Sequence, residues 1–488
     1  MRTLQVKFKG HKSICSLKEN IILLIDKGDT DKALRLIHDF VEYILTEPLY
    51  VSQVFGSKTL DALCQRIGQI NLEKIKPEID EINHPQLDKQ AYVYIVTKLQ
   101  NSGGHTRVIE DFIKSRPQDR HFILSTGLAG KSDSDYLLEK LDKKIDTTFE
   151  QAPKGNFQKR LTWLQKRLLK IQPKRVYLFN HHQDSVAVSA IQPEMNINTS
   201  FYHHGDHHLC LGVYLRNIEH IDPHPMGYHN CRGLLGIKNT YIPLTIDDQG
   251  KRPADRQFLQ NGKLTTCTAA RSNKIEQPYF ISYVKVVPKI LKATGGKHVH
   301  IGKLSLWARL KLCRELKNNA IPNERFIYIP WVPSVWEALH KYQVDLYIAS
   351  FPYGGGLTLI EAMGAGVPVA VHKHIFSRIL SGIDLAYPKA FSWKHPNELF
   401  SYCASLTSEH LEQLGQLARI QYEKYHTNSN LYEMLNNKNH GTTIHKDTES
   451  TFSVERDEWA MWVESQLNIK TMLSKIVYRI LRKIRSRL

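Results

Sequence analysis

The segment Ser350 to Val371, SFPYGGGLTLIEAMGAGVPVAV, carries the residue types and spacing best suited to holding a charged ligand. Gly354, Gly355 and Gly356 have no Cβ, so a ligand can approach the backbone closely. The helix expected from Leu357 to Met363 points unpaired N–H groups and its positive dipole end into the same space, which favours an anion such as a phosphate. Thr358 and Glu361 fall on one face of that helix, so the Glu361 carboxylate can reach back to sugar hydroxyls while the backbone holds the phosphate. A nucleotide sugar offers both groups. Gly364 and Gly366 end the helix, Pro368 prevents its continuation, and Val367 to Val371 reads as a strand.

A second constellation is Tyr202-His203-His204-Gly205-Asp206-His207-His208. A hydroxyl acceptor must lose its proton near neutral pH, and imidazole titrates there. Four histidines and an aspartate could instead hold zinc. His181-His182-Gln183-Asp184 reads as another strand end without an assigned role. Asp29-Thr30-Asp31 and Asp133-Ser134-Asp135 are spaced like carboxylate pairs that hold Mg²⁺ or Mn²⁺ on a diphosphate, but neither follows a strand, and both read as helix caps or solvated turns.

These residues need an α/β scaffold. Residues 1 to 88 read as helical, with helix-period apolar patterns at Leu17 to Lys27, Thr30 to Leu45 and Lys58 to Ile70. From residue 89 to 250 strands alternate with helices: strands are expected at Tyr92 to Thr97, Phe122 to Ser125, Val176 to Phe179, Ser200 to His203 and Tyr241 to Leu244. A second such domain, 251 to 435, has strands expected at Leu264 to Thr268, His298 to Ile301, Phe326 to Ile329, Leu346 to Ala349 and Val367 to Val371. Residues 436 to 488 form a polar linker followed by a basic amphipathic helix.

The Ser350 to Val371 string resembles the donor-binding signature of GT-B glycosyltransferases, in which a glycine loop precedes "EAM-small-GxPVV". Of the two glutamates eight positions apart in many retaining, family-4-like members, the first position is Tyr353 here and the second is Glu361. FPYGGGLT is closer to the FPxGGxTT form of the O-GlcNAc-transferase-like and bacterial protein-glycosylating branches. The resemblance implies two doubly wound Rossmann-like domains facing a cleft, no metal cofactor and a nucleotide-sugar donor, UDP-sugar first. It implies donor contacts from Tyr353, Gly354, Gly355, Gly356, Leu357, Thr358 and Glu361, and from Arg271 and Lys274, where such enzymes commonly set two cations on the leaving diphosphate. Asn101 to Arg107, NSGGHTR, resembles the glycine loop after the first strand, which brings in Gly103 and Gly104. HHGDHHLCLG looks like the "HADHxFWLG" string of some members. It makes His204 or His207 the base or phosphate contact and Asp206 the orienting partner.

A formal charge of +18 asks for an anionic partner. No helix-turn-helix, zinc knuckle or RNA-binding aromatic motif accompanies it, so nucleic acid is not expected. Ile469 to Leu488 carries an apolar helical stripe with basic faces, suited either to an anionic membrane surface, with Trp459 and Trp462 as interfacial anchors, or to docking on the protein itself. Seven cysteines without a CxxC pair suggest neither disulfides nor structural zinc, and no apolar run approaches a membrane span. The expectation is a cytoplasmic, metal-independent hexosyl- or N-acetylhexosaminyl-transferase, peripheral on the inner membrane face, acting on a saccharide, glycolipid or protein acceptor in cell-surface polysaccharide or glycolipid synthesis. Its rivals are a protein glycosyltransferase, a nucleotide-sugar epimerase and a non-catalytic lipid- or nucleic-acid-binding protein.

Overall fold

An apolar run without alternation must be covered on both faces, which a parallel sheet between helices provides. Strand β1 (Asp88–Val96) meets that condition, with every residue from Ala91 to Val96 buried. The computed structural model describes residues 14–47, 50, 54–80, 88–100, 104–253, 255–260, 262–375, 378–436, 456–467, 473 and 477. The chain forms two compact units: Met1–Pro223 with Gly227–Ile242, and His224–Met226 with Pro243–Leu488.

The first unit opens with helices α1 (Ile14–Asp26), α2 (Thr30–Thr46) and α3 (Lys58–Asp80). After β1 come α4 (Gly104–Lys114), β2 (Arg120–Ser125), α5 (Asp135–Leu138), β3 (Thr147–Gln151), α6 (Phe157–Ile171), β4 (Pro173–Phe179) and α7 (Ser185–Ala190). Then follow β5 (Thr199–Tyr202), β6 (Glu219–Asp222), α8 (Pro225–Gly233) and β7 (Asn239–Tyr241). The seven strands are parallel in the order β3-β2-β1-β4-β5-β6-β7. The N-terminal helices share one core with this sheet: Leu17, Ile37, Phe40 and Ile67 cluster with Val93, Ile95, Leu161 and Val188. Asp29 accepts from Lys32 N and caps α2, while Asp31 accepts from Phe157 N at 2.7 Å and caps α6 from another helix. Helix capping thus accounts for that aspartate pair.

The second unit contains β8 (Thr265–Ala269), α9 (Ser272–Ile275), α10 (Tyr283–Thr294), β9 (Lys297–Ile301), α11 (Leu306–Asn318), β10 (Phe326–Ile329) and α12 (Val335–Lys341). It continues with β11 (Leu346–Ile348), α13 (Gly356–Gly364), β12 (Val369–His372), α14 (Arg378–Ser381), β13 (Phe391–Trp393), α15 (Pro396–Ser405), α16 (Ser408–Tyr425), α17 (Asn428–Asn436) and α18 (Arg456–Leu467). Its six strands are parallel in the order β10-β9-β8-β11-β12-β13. Both sheets therefore reverse strand order once, between β1 and β4 and between β8 and β11. Ligands of such sheets bind beyond the strand ends at that reversal.

Three strands went unread in the sequence. β3 (TTFEQ) is half-buried throughout, β6 (EHID) is charged, and β13 is three residues long. The basic helix expected over Ile469 to Leu488 lies outside the described residues except for the exposed Leu473 and Val477. Trp462, expected as an interfacial anchor, is only 3% exposed, and Gln466 on the same helix donates to the Pro278 carbonyl at 2.7 Å. Its ring is packed into the second unit and is not available to a headgroup region. No helix of the described residues is long and apolar enough to cross a membrane.

Candidate functional site

Each unit carries a cluster at the ends of the strands where its sheet order reverses. In the second unit the loop after β11 runs into α13 through Gly354 and Gly355. A Cβ on Gly354 would lie 2.4 Å from the Ser381 carbonyl, so only glycine fits. α13 begins without a side-chain cap because its N-cap residue is Gly355; in its first turn Thr358 Oγ1 donates to the Gly355 carbonyl and accepts from the Tyr347 hydroxyl at 2.9 Å. Its first-turn amides are the donors that an anion would meet.

Lys274, on α9 after β8, donates from Nζ to the Gly354 carbonyl at 2.7 Å, and its own carbonyl receives Tyr353 N at 3.4 Å. The expected cation and the glycine loop are therefore joined. Burial pushes the Lys274 ammonium down to about 8. Arg271, at the N-cap of α9, is exposed on the same turn. Leu357 and Glu361 are half-buried, one turn apart on α13. Tyr353 is also half-buried, and burial raises its phenol to about 12.

Residues that sequence reasoning missed surround this loop. Tyr353 lies near the His374 ring, 6.0 Å between centroids; His374 stacks on Tyr279, whose hydroxyl bonds His372 Nε2 at 2.9 Å. Burial, then His374 beside it, pushes His372 down to about 3. Histidines at the carboxyl end of a strand were the available signal. His224 Nδ1 stands 3.7 Å from Asp384 Oδ2, and the same imidazole would touch a Cβ placed on Gly356, at the start of α13. Its position in DPHP gives no periodicity to read.

In the first unit, Gly104 opens α4 and is exposed, while Gly103 lies outside the described residues. His105, in the first turn of α4, and His204 set their rings edge to face. His181 and His182 at the end of β4 lie 6.4 and 6.1 Å from His204, and His182 lies 5.1 Å from His207. Burial, then the neighbouring histidines, holds His105, His182, His204 and His208 well below the usual imidazole range. They are neutral at ordinary pH, the form that accepts a proton.

The expected partnership of His204 with Asp206 takes another form. His204 Nδ1 has no hydrogen-bond partner, whereas Asp206, 2% exposed, lies 3.7 Å from His207 Nδ1. Asp206 is fixed against α8: a Cβ on Gly227 would come within 2.5 Å of its Oδ2. Asp184 also acquires a task. Its Oδ2 accepts from Thr97 and Thr126, each at 2.6 Å, and its Oδ1 caps α7, which fixes the loop bearing His181 and His182. The ligand atoms of His204, Asp206, His207 and His208 do not converge on one point among the described residues.

No family model and no curated protein matches the chain. Solved structures do match in fold. The HepE protein of Anabaena, in complex with UDP and glucose, is 12% identical, with a TM-score of 0.53 over 71% of this chain and 98% of that one. The lipopolysaccharide outer core galactosyltransferase WaaB is 15% identical, at 0.52 over 71% and 99%. A mutant of the Thermobaculum terrenum O-GlcNAc transferase is 14% identical, at 0.50 over 92% and 84%. The fold is that of GT-B proteins, with two Rossmann-like domains.

Proposed function

We propose that the chain is a glycosyltransferase moving a sugar from a nucleotide-sugar donor, UDP-sugar first, to a hydroxyl acceptor. The observation that carries this reading is the contact of Lys274 Nζ with the Gly354 carbonyl beside the uncapped start of α13, a cation and a row of amides held together. Known relatives in fold point the same way, since HepE binds UDP and UDP-glucose.

The donor diphosphate sits on the first-turn amides of α13 with Lys274 and Arg271, and Glu361 takes sugar hydroxyls. The acceptor oxygen attacks the anomeric carbon as the bond from that carbon to the phosphate oxygen breaks, and the electron pair leaves with the nucleoside diphosphate. Lys274, Arg271 and the amides stabilise charge that grows on the departing oxygen, so they act more on the transition state than on bound donor. The acceptor proton passes to His204, with His207, beside Asp206, as second choice. In this scheme fixed cations do what a metal would do. Residues 89–250 then form the acceptor domain and 251–435 the donor domain. The proposed setting is cell-surface polysaccharide or glycolipid synthesis on the cytoplasmic face, with a hexosyl or N-acetylhexosaminyl group transferred. FPYGGGLT keeps a protein acceptor as the second reading.

Thermal shift against UDP-, GDP-, ADP- and CMP-sugars tests the donor site, because a ligand at a hundred times its Kd stabilises by about 2.7 kcal/mol. One nucleotide family should shift the wild type and not Lys274→Ala. Silence with every sugar nucleotide and with free UDP and GDP would remove the transferase reading.

A further inference from the structure

Beneath the histidine loop of the first unit, four other side chains turn their ligand atoms toward one another: His203 just after β5, His220 and Asp222 on β6, and Cys231 on α8. All four are at most 2% exposed. His203 Nδ1 lies 3.1 Å and His220 Nε2 3.3 Å from Asp222 Oδ1, and Cys231 Sγ is 3.4, 3.5 and 3.5 Å from His203 Nδ1, His220 Nε2 and Asp222 Oδ1.

Those are five of the six edges of a coordination tetrahedron, and all four ligand atoms lie within 4.8 Å of one another. With zinc bonds of about 2.0–2.1 Å to nitrogen, about 2.0–2.2 Å to oxygen and about 2.3 Å to sulfur, tetrahedral angles give N–O edges of about 3.4 Å and N–S and O–S edges of about 3.6 Å, and each observed separation lies within about 0.3 Å of these. The geometry points to a structural zinc site made by His203 Nδ1, His220 Nε2, Asp222 Oδ1 and Cys231 Sγ.

Hydrogen bonding alone gives a poorer account. Three potential donors would crowd one carboxylate, His220 Nε2 lying 3.3 Å from each of its oxygens, and Oδ2 is already taken by Asn239 Nδ2 at 2.5 Å. A divalent cation resolves the crowding, and its charge is cancelled by one carboxylate and one thiolate, so the buried cluster is neutral. Binding displaces the Cys231 thiol proton to solvent and takes the neutral form of both imidazoles. The carboxylate has the outer contacts of a metal ligand: Asn239, which orients Asp222, is itself held by Arg232 Nε at 2.7 Å and by the Tyr228 carbonyl at 3.0 Å, while the far ring nitrogens His203 Nε2 and His220 Nδ1 are buried without a hydrogen-bond partner. One thiolate, two imidazoles and a carboxylate suit zinc, and four protein ligands leave no open position, so the metal braces the fold and takes no part in chemistry. It ties the end of β5 to β6 and α8 at the residue preceding His204. Cysteine spacing could not reveal it, because only one ligand is a cysteine. The site stands whether or not the chain transfers sugars.

The test is metal content of the full, tag-free chain by inductively coupled plasma mass spectrometry after exhaustive dialysis. About one zinc per chain is expected, falling toward zero in Cys231→Ser and His220→Gln and unchanged in Cys313→Ser, whose thiol is exposed. Cobalt exchanged into the wild type should give a thiolate charge-transfer band, and chelation should lower the Tm until zinc is returned. Where a variant does not fold, the wild-type zinc content and cobalt spectrum decide. A wild type that holds no zinc after refolding with equimolar zinc, or variants that fold and keep their zinc, would overturn the assignment.

Discussion

The two units share a strand order around their switch points but equip them differently. At the second, the groups at the strand ends are backbone amides, a glycine turn and one lysine clamped to a carbonyl. At the first, they are imidazoles whose charge depends on surroundings and whose rings pack on one another. Fixed dipoles suit a group that is anionic before and after bond breaking, such as a diphosphate. Titratable rings suit a proton that must move. One topology thus carries two different sets of polar groups because the loops, and not the sheet, choose them.

Substitutions can break that division. The largest effect is expected of His204→Ala, which should lower turnover by about 10²–10⁴-fold while leaving UDP binding unchanged in calorimetry. Loss of donor binding in that variant would mean the imidazole serves the donor as well. Lys274→Ala should cost about 10²–10³-fold in kcat/KM and weaken UDP in the same titration. Gly354→Ala forces the loop off the Ser381 carbonyl and should lower stability by about 1–3 kcal/mol in urea melts, with donor affinity falling too. An unperturbed variant would show the loop has room that the structure denies.

Acidity separates the two sites further. Donor affinity should hold up to about pH 8 and fall beyond it, as the buried Lys274 loses its proton, and Lys274→Arg should remove that fall. The second unit also buries His298, His300, His372 and His426 as neutral rings, with burial driving them to about 3, 4, 3 and 4. Each is depressed from about 6.5, so its contribution is full above pH 6.5 and is lost as pH falls toward the folded value, at up to about 1.4 kcal/mol per pH unit for each ring. Urea midpoints at pH 7, 6 and 5 should therefore decline, and a flat series would mean that these rings are not held neutral.

Much of this was legible in the sequence where local pattern and global fold agree. β10 was read to the residue, the glycine loop and the histidine string were singled out from residue type at strand ends, and Lys274, singled out through the resemblance, is the lysine that meets the glycine loop. What escaped depended on contacts distant in the chain. His224 meets α13 from more than a hundred positions away, Tyr279 meets His374 across the second unit, and His203, His220, Asp222 and Cys231 converge only once β5, β6 and α8 are packed. Pairing of Asp206 with His207 instead of His204 was likewise decided by packing, since α8 presses on Asp206 at Gly227.

The cap that Asp31 provides to α6 has a practical side. A shortened protein beginning at β1 would lose the acceptor for Phe157 N, and would expose to water the faces of α6 and α7 that Leu34, Ile37 and Ile67 cover. Such a fragment is expected to be recovered as aggregate, so any dissection of the chain for expression should cut after Ile242 and keep the first three helices with their sheet.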